Sequence, residues 1–558
     1  MNIQAAAANL VWTGACARGW RRFRRALRDP ARTQRALLTR CLEANRDTQI
    51  GRRYDFARLL QSSDVVRAYQ DGVPIVSYDD VEPEIARIAS GEAGVLTRAP
   101  VVRLTPSSGS TSPVKLIPHT ADLQREFSDA IDAWIVDLNL KHRSVIGGPA
   151  YWSITPARSF ERAASRVAGG GAAVPIGFGE DSEYLGGFRQ RLVDAVLAVP
   201  AEVRHITDPD AFRYVTLLFL IRERGLRLIS VWHPSFLLLM LESLPAIFDR
   251  LVDDVARGTV TPPSALPPRV HAALAPLVWP DPLRAKELRK LGSAESRVLW
   301  PELSVVSCWA DGPARPYADR LRRAMRVVHV QAKGLIATEA IVSIPFGSRH
   351  PFAIRSHFFE LLDAANRPCL VHELEPGAEY TVIVTTGGGL YRYALGDRVR
   401  VNGWIGETPS IEFVGRGDRV SDRFGEKLSD GFVTAVLAEI FARGPVPRFA
   451  MLAPEAIGDG VAYTLLVEPD GALGVDLARL LERALRRNPH YAWCVDIGQL
   501  RPARVVRVGP HADRAYLDVC VSRGQRLGDV KPVSLHDQSG WEQALGGAHS
   551  RPVENAAL

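Results

Sequence analysis

The sequence predicts an α/β protein, in which a large N-terminal domain of mixed β-sheets and helices precedes a small C-terminal α+β domain. A length of 558 residues exceeds that of one ordinary domain. β-rich runs separated by glycine turns, notably 325–346 and 377–401, alternate with segments of helical periodicity, which is typical of α/β folds. The composition changes at 415–431, a polar, glycine-punctuated stretch that predicts the domain boundary.

The N-terminal elements follow from local signals. Leu37, Leu38, Cys41 and Leu42 recur at helical spacing, and Asp29 before Pro30 predicts a capped helix start. The remaining predictions for this domain are an extended piece, a turn and a helix over 73–92, a helix over 121–140, a glycine-rich loop over 169–187, a buried strand entering a helix over 227–244, a connector over 260–280 and a helix over 285–291.

The small domain shows helical and strand patterns in alternation. Helices are predicted over 432–441 and 476–487, and strands near 448–452, 462–467, 503–508 and 516–521. The tail after Asp537 is expected to be poorly ordered. His233 precedes a proline where the 227–244 strand becomes a helix, and we assign it a hydrogen-bonded structural role rather than a catalytic one.

Charge and cysteine content exclude several classes of protein. The net charge is +7 and the pI about 9.1, but the arginines are scattered, and the dense run at 18–28 is typical of a solvated helix face. We therefore expect no nucleic-acid partner and no membrane. The six cysteines lie far apart without a C-x-x-C pair, and the N-terminus lacks the pattern of a secretory signal. Free thiols in a cytoplasmic protein are expected.

The most distinctive stretch, 101–118, reads VVRLTPSSGSTSPVKLIP. Between its apolar ends lie Ser107, Ser108, Gly109, Ser110, Thr111 and Ser112. Glycine lets successive N–H groups converge on an anion, the hydroxyls add donors, and Lys115 adds a cation. This pattern predicts a phosphate-holding loop between two strands. The spacing is not that of a Walker A loop, and the alternative is a solvent-exposed Ser/Gly linker.

Nine segments resemble, in order and spacing, the acyl acid amido synthetases that conjugate auxin and jasmonate in plants, together with their bacterial relatives. They read LEANRDTQIGRRYDF, VPIVSYDD, SSGSTSPVKLIP, ISVWHPSFLL, CWADG, KGLIATEA, HFFELL, GLYRYALGDRVRV and GQRLGDVKP. The likeness covers nearly the whole chain. That family belongs to the adenylate-forming superfamily of acyl-CoA synthetases, luciferases and peptide-synthetase adenylation domains, so the resemblance implies that fold.

The resemblance implies a role for particular residues. The loop from Ser107 to Lys115 would hold the phosphates of ATP, and Thr338 with Glu339 matches a Ser/Thr-Glu pattern whose glutamate lies by Mg²⁺. Asp397 corresponds to the carboxylate that binds both ribose hydroxyls. A carboxylate accepts two hydrogen bonds from a diol, and a hard cation prefers oxygen ligands.

Further basic residues are implied at the domain boundary and beyond it. Lys427 corresponds to a lysine that reaches the α-phosphate, and Lys531 to a second lysine near the C-terminus of the family. With Lys115 these are the predicted catalytic residues. Arg416 and Asp418 resemble the hinge, and Arg416 is also among the residues predicted to bind the nucleotide. The implied domains are an ATP- and acid-binding domain (1–415), a hinge (416–430), a small mobile domain (431–540) and a tail (541–558).

The implied activity is a two-step ligation with ATP and Mg²⁺ as cofactors. A small carboxylic acid is adenylated, and an amine, that of an amino acid, then displaces AMP. Two alternatives stay open: an acyl-CoA synthetase that uses a thiol in the second step, and a nucleotide-binding relative that has lost catalysis. The acid pocket is expected from 230–241 and from segments near Ile336 and Phe346. Neither acid nor amine is identified, and a monomer is favoured.

One departure from the family concerns the adenine contact. Where plant members have Tyr-Ala-Ser-Ser-Glu, this chain has LIATE at 335–339. The aromatic ring expected to face adenine is therefore missing, and an aliphatic contact is expected in its place.

Overall fold

The computed structural model describes residues 2–107, 115–153, 174–175, 187–291, 299–416, 420–421, 423–424, 426–442, 445–458, 460–470, 476–496, 499–523, 525 and 530–546. The chain forms two compact units. The large unit comprises Met1–Ala310, Ala318–Leu395 and Val399–Glu412, and the small unit comprises Asp311–Tyr317, Gly396–Arg398 and Phe413–Leu558.

Helices dominate the first part of the chain. In order they are α1 (Ile3–Ala26), α2 (Pro30–Asn45), α3 (Gln49–Arg53), α4 (Phe56–Leu60), α5 (Val65–Gly72), α6 (Tyr78–Ala89), α7 (Ala121–Lys141), α8 (Gly187–Asp194), α9 (Pro209–Arg222), α10 (Pro234–Arg257), α11 (Pro268–Leu274), α12 (Pro282–Leu291) and α13 (Arg315–Ala324). Asp29 caps α2 as predicted, because its side chain accepts a hydrogen bond from the Arg32 N–H.

A parallel sheet of four strands lies in the large unit. Its order is β3 (Ala150–Trp152), β4 (Leu228–Ser230), β5 (Val305–Cys308) and β6 (His329–Ala332). Parallel strands need crossovers on the sheet faces, which accounts for the many intervening helices. The carboxyl ends of these strands share one edge, which is where ligands bind in open α/β sheets.

Two further sheets involve the strands that carry predicted site residues. β1 (Val101–Ser107) pairs antiparallel with β2 (Lys115–Thr120). A five-stranded sheet has the order β11 (Thr408–Arg416), β10 (Tyr393–Ile405), β9 (Glu379–Thr385), β7 (Phe358–Leu362) and β8 (Pro368–Leu370). The strand–loop–strand layout expected for 101–118 is therefore present.

The small unit is α+β. A two-stranded ribbon joins β12 (Val420–Ser421) to β13 (Leu428–Ser429), and a three-stranded sheet has the order β14 (Phe449–Ile457), β15 (Gly460–Glu468) and β16 (Arg501–Arg507). The helices are α14 (Asp430–Phe441), α15 (Leu477–Leu485), α16 (Pro489–Asp496), α17 (Ala512–Ser522) and α18 (Trp541–Ala544). The predicted fold class is thus confirmed for both parts of the chain.

Three local predictions were wrong. Residues 516–521 belong to helix α17 rather than a strand, because buried positions recur at Ala512, Tyr516 and Cys520. The connector over 260–280 contains α11, which begins at a proline and buries Val270 and Leu274 four residues apart. The start of the tail after Asp537 contains α18, where Trp541 is fully buried, and residues 547–558 lie outside the described part of the chain.

Other expectations hold or lie outside the described residues. The arginines at 18–28 are exposed along α1 while Phe23 is buried, as expected of a solvated helix face. All six cysteines are free thiols. Among the described residues no helix has the length and apolarity to cross a bilayer. The glycine-rich stretch 169–187 lies almost wholly outside the described residues.

Candidate active site

The strands that flank the predicted phosphate loop meet at its base. Ser107 pairs with Lys115 in the β1–β2 register, so the two ends of the loop lie side by side. Residues 108–114 fall outside the described part of the chain. The phosphate-binding roles of Ser107, Ser108, Gly109, Ser110 and Thr111 therefore stay predictions.

Tyr78 fixes the end of this loop, although its role was not predicted from the sequence. Its hydroxyl accepts a hydrogen bond of 2.8 Å from the Leu116 N–H, and Lys115 Nζ lies 5.5 Å from the centroid of its ring. Burial raises the pKa of Tyr78, the Leu116 N–H lowers it, and the Glu339 carboxylate is among the charges that raise it. Lys115 thus lies against the Tyr78 ring, and the charge of Glu339 acts on the same phenol.

The start of α6 holds Tyr78 in place. Ser77 is the N-cap of this helix, and the Asp80 carboxylate accepts hydrogen bonds from the Ser77 N–H (2.7 Å) and the Ser77 hydroxyl (2.8 Å). This capping interaction orients the first helical residue. The signal in the sequence was a tyrosine directly after a serine and before two aspartates, in VPIVSYDD.

Thr338 and Glu339 occupy the tip of a tight turn after β6. Ile336 and Ile341 form an antiparallel bridge, and the Ala337 N–H donates to the Ala340 carbonyl at 2.9 Å. Glu339 is buried, with 8% of its surface exposed. Thr338 and Glu339 are therefore adjacent at the tip of this turn, and their magnesium and phosphate contacts stay predictions.

His357 supports this turn from the core. The Ile341 N–H donates to His357 Nε2 at 3.1 Å, so Nε2 is an acceptor and the proton lies on Nδ1. Nδ1 donates to Glu126 Oε2 at 2.9 Å, and Glu126 also accepts the Gly387 N–H. The neutral ring is thus required by the backbone bond it accepts. Sequence reasoning quoted HFFELL but missed this histidine.

A buried ion pair anchors the start of β10 in the large unit. Arg392 has a left-handed backbone with φ of 46°. Its guanidinium contacts both oxygens of Glu360 and donates to the carbonyls of Gln70 and Val73 at 2.6 Å each. Every one of these groups is buried or half-buried, and the bidentate pair fixes the geometry.

Asp397 and Arg416, two of the predicted nucleotide contacts, lie together in the small unit. Asp397 follows Gly396, whose φ of 77° places it in the left-handed region, and the aspartate is 5% exposed. Arg416 Nη1 lies 3.7 Å from Asp397 Oδ1. A carboxylate and a guanidinium are therefore combined at the position predicted to bind ribose.

Lys427 is exposed on a turn that a buried carboxylate organises. Glu426 is fully buried and accepts hydrogen bonds from the Arg423 N–H (2.9 Å), the Phe424 N–H (2.7 Å) and the Tyr463 hydroxyl (2.5 Å). Lys427 itself adopts a φ of 46°, and its carbonyl accepts from Asn488 Nδ2 at 3.1 Å. The turn thus holds a strained lysine at the surface of the small unit.

The segment of Lys531 is attached to the same helix that follows Lys427. Asp430, the first residue of α14, accepts the N–H groups of Ser534 (3.0 Å) and Leu535 (2.8 Å). The Lys531 carbonyl accepts from the Tyr516 hydroxyl at 3.2 Å. Both predicted catalytic lysines of the small unit therefore belong to segments anchored at the start of α14.

Family models match most of the chain. Residues 19–330, more than half of the chain, match the GH3 family N-terminal domain, and residues 351–416 match the GH3 family central domain. The chain belongs to the GH3 family. This confirms the family predicted from the nine segments.

Named GH3 relatives cover most of the chain. The indole-3-acetic acid-amido synthetase GH3.8 of Oryza sativa subsp. indica is 26% identical over 83% of this chain and 82% of that protein. The jasmonoyl–L-amino acid synthetase JAR6 of Nicotiana attenuata is 25% identical over 70% of each. The structure of the GH3.15 acyl acid amido synthetase in complex with 2,4-DB superposes with a TM-score of 0.78 at 18% identity, covering 96% of this chain and 95% of that one. This last likeness shows the fold.

The donor set of this GH3 protein fits a magnesium ion bound mainly by phosphates. Across the described ranges, no three His, Cys, Asp or Glu side chains converge on one point. Mg²⁺ keeps several waters and takes one or two carboxylates together with substrate phosphates. The Glu339 carboxylate, beside the Thr338 hydroxyl, suits that kind of site, and its role as a ligand stays a prediction.

The segments predicted to line the acid pocket lie in different environments in this GH3 chain. Residue Phe346 packs into the core, where its ring centroid lies 5.1 Å from that of Phe23. His233 caps α10, because its Nδ1 accepts the Ser235 N–H at 3.2 Å, in agreement with the structural role assigned to it. The residues at 230–232 instead contact a buried lysine, Lys333, which sequence reasoning missed. Asp418 lies outside the described residues.

Proposed function

We propose that this chain is an ATP-dependent acid–amino acid ligase, which adenylates a small carboxylic acid and transfers the acyl group to the amine of an amino acid. The observation that carries the proposal is the setting of Tyr78 at the end of the hydroxyl-rich loop, where its hydroxyl accepts the Leu116 N–H and its ring lies against Lys115. The Glu339 carboxylate is among the charges that raise the pKa of Tyr78. Relatives in the GH3 family are named as acid-amido synthetases, which supports amide formation as the second step.

The first step joins the acid to the nucleotide. An oxygen of the substrate carboxylate attacks the α-phosphorus of ATP, and the bond from that phosphorus to pyrophosphate breaks. Charge gathers on the phosphates, and Lys115, Lys427 and Lys531 are proposed to offset it. A magnesium ion held by Glu339 would add to this neutralisation. Asp397 is proposed to accept hydrogen bonds from the ribose hydroxyls, with Arg416 beside it.

The second step forms the amide. The amine nitrogen attacks the acyl carbonyl carbon, the bond from carbon to the AMP oxygen breaks, and the amine proton passes to solvent. A free carboxylate resists such attack because its oxide is a poor leaving group, whereas AMP leaves readily. We propose that the small domain, 431–540, moves about the hinge, 416–430, between the steps.

The setting of the reaction is part of the same proposal. Free cysteines and the lack of a bilayer-spanning helix in the described residues favour a cytoplasmic enzyme. Its partners are small-molecule substrates, and it acts as a monomer.

Acid-dependent exchange of labelled pyrophosphate into ATP tests the first step. A panel of carboxylic acids should contain members that support exchange, and adding amino acids should then yield amides. Exchange followed by thioester formation with CoA, and no amide, would reassign the chain as an acyl-CoA synthetase. A flat response across a broad panel would count against both enzymes and favour the alternative of a nucleotide-binding relative without catalysis.

A further inference from the structure

A lysine is buried at the carboxyl edge of the parallel sheet. Lys333 directly follows β6, and 4% of its surface is exposed. Its Nζ donates to the Ser230 hydroxyl and to the Val231 carbonyl, both at 2.8 Å. It also lies 4.9 Å from the centroid of the Trp232 ring. We refer to Ser230, Trp232, Ser307, Trp309 and Lys333 as the lysine–tryptophan cluster.

The charge of Lys333 is not balanced by a carboxylate within the described ranges. Both hydrogen-bond acceptors are neutral, which accounts for two of its three protons. Burial lowers the pKa of Lys333 to about 7, and the Cys308 thiol acts in the opposite direction. A buried ammonium without an anion is costly for a fold. An apolar residue would fill this position at lower cost, which favours a functional reason for the lysine.

The surroundings of Lys333 combine aromatic surface with unused hydrogen-bonding capacity. The rings of Trp232 and Trp309 are half-buried, with centroids 5.5 Å apart and an interplanar angle of 40°. Ser307 is paired with Ser230 in the sheet register. Its hydroxyl is fully buried and has no hydrogen-bond partner among the described residues. Sites for small ligands consist of such apolar walls with a few polar groups.

We propose that the lysine–tryptophan cluster is the acid-recognition subsite of this enzyme. The substrate is a flat-ring carboxylic acid that carries a second oxygen group, such as a carboxylate, phenolate or carbonyl. The two tryptophans hold the ring, and the Lys333 ammonium and the serine hydroxyls bind the second group. The inference rests on the proposed ligase function and names its class of substrate.

The second oxygen group, rather than the reacting carboxylate, is the partner of Lys333 for a chemical reason. In the adenylation step a carboxylate oxygen must attack phosphorus as a nucleophile. A buried ammonium bound tightly to that carboxylate would withdraw its electron density and slow the attack. Binding a remote oxygen instead orients the acid without this penalty, and a bidentate polar contact gives strong discrimination against acids that lack it.

Matched pairs of acids test the proposal. Benzoate and terephthalate, and phenylacetate and 4-hydroxyphenylacetate, differ only by the second oxygen group. In pyrophosphate exchange the wild-type enzyme should prefer the second member of at least one pair by tenfold or more in kcat/KM. Lys333→Met should bring that ratio to about one, because kcat/KM falls for the acid that carries the second oxygen group. Lys286→Met, which changes an exposed lysine of α12, is the control and should keep the wild-type ratio.

A binding measurement separates recognition from catalysis and guards against a folding defect. In calorimetric titration without ATP, Lys333→Met should lose affinity for the second acid of the pair and not for the first. Lys333→Gln provides a second variant in case the methionine protein does not fold. Equal preferences in wild type and both variants would overturn the subsite while leaving the ligase function intact. If no acid supports exchange in the wild type, the ligase function falls. Calorimetry then decides the subsite: binding of the second acid that depends on Lys333 supports it, and equal binding in wild type and variants overturns it.

Discussion

The Glu426 carboxylate holds the turn that carries Lys427 in its closed conformation. Tyr463→Phe tests how much the hydrogen bond to Glu426 stabilises that conformation. This substitution removes one hydroxyl that donates to Glu426 and contacts Ser421, both at 2.5 Å. The phenylalanine ring keeps the packing against Tyr491, whose ring centroid lies 6.1 Å away. Glu426 keeps its two backbone N–H donors, so the turn should loosen rather than unfold.

The expected size of the effect follows from the type of bond. A hydrogen bond to a charged group contributes about 1.5–3 kcal/mol, so local opening of the turn should become easier by about 2 kcal/mol. That change corresponds to roughly thirtyfold faster amide exchange for the N–H groups of Arg423 and Phe424. Lys427 holds a left-handed backbone only while the turn is closed, so the adenylation rate should fall by at most the same factor, with KM for the acid unchanged.

Hydrogen exchange followed by mass spectrometry, on the peptide spanning 420–429, measures the opening directly. Tyr214→Phe is the matched control, because it removes a buried hydroxyl bound to the Asp254 carboxylate at 2.8 Å in the large unit. It should leave exchange at 420–429 unchanged. Wild-type protection of that peptide in Tyr463→Phe, or equal acceleration in the control, would show that the turn is held by other contacts.

Three further predictions address the site and the fold. Lys115→Ala and Asp397→Ala should each raise the adenylation barrier by about 2–4 kcal/mol, because charge-assisted contacts to the nucleotide are lost. Pyrophosphate exchange at the wild-type rate in either variant would reject the role assigned to that residue. Gly334→Ala should lower the stability of the protein in urea more than Gly377→Ala does. Both glycines have a φ of 77°, but only at 334 would the new Cβ lie 2.6 Å from a carbonyl oxygen, that of Ser343. Equal losses of stability would argue against the clash. Burial, and then the Arg103 charge, lowers the pKa of His119 to about 4 from 6.5. The corresponding contribution of about 3 kcal/mol to the free energy of unfolding is complete above pH 6.5 and is lost as the pH falls through 4. His119→Gln should therefore lose stability less steeply with acid over that window than the wild type does.

Local signals in the sequence predicted elements whose cause is local. The Asp29–Pro30 pair starts α2 because a side-chain cap and a fixed proline φ act within one helical turn. Strand, loop and strand were predicted at 101–118 because apolar runs flank the hydroxyl residues, and β1 and β2 form there. The pairing of Asp397 with Arg416 was not predicted as a contact, although both were singled out.

The helix at 512–522 shows where local patterns mislead. The mainly apolar run at 516–521 is compatible with a strand when it is considered alone. A group distant in sequence favours the helix, because the Glu468 carboxylate accepts the Ala512 N–H at 2.9 Å and satisfies a donor at the helix start. Apolar residues then meet the core at helical spacing. A contact across 44 residues is beyond any window used to judge periodicity.

The residues that support the site were not predicted for the same reason, because their contacts join positions far apart in the sequence. Lys333 reaches Ser230 across 103 positions and His357 reaches Glu126 across 231. Both residues flank the Thr338–Glu339 turn in sequence, one before and one after. Lys333 directly follows β6, His357 accepts the Ile341 N–H, and the turn lies between them. We therefore expect that a substitution that loosens either contact changes the acid specificity or the adenylation rate.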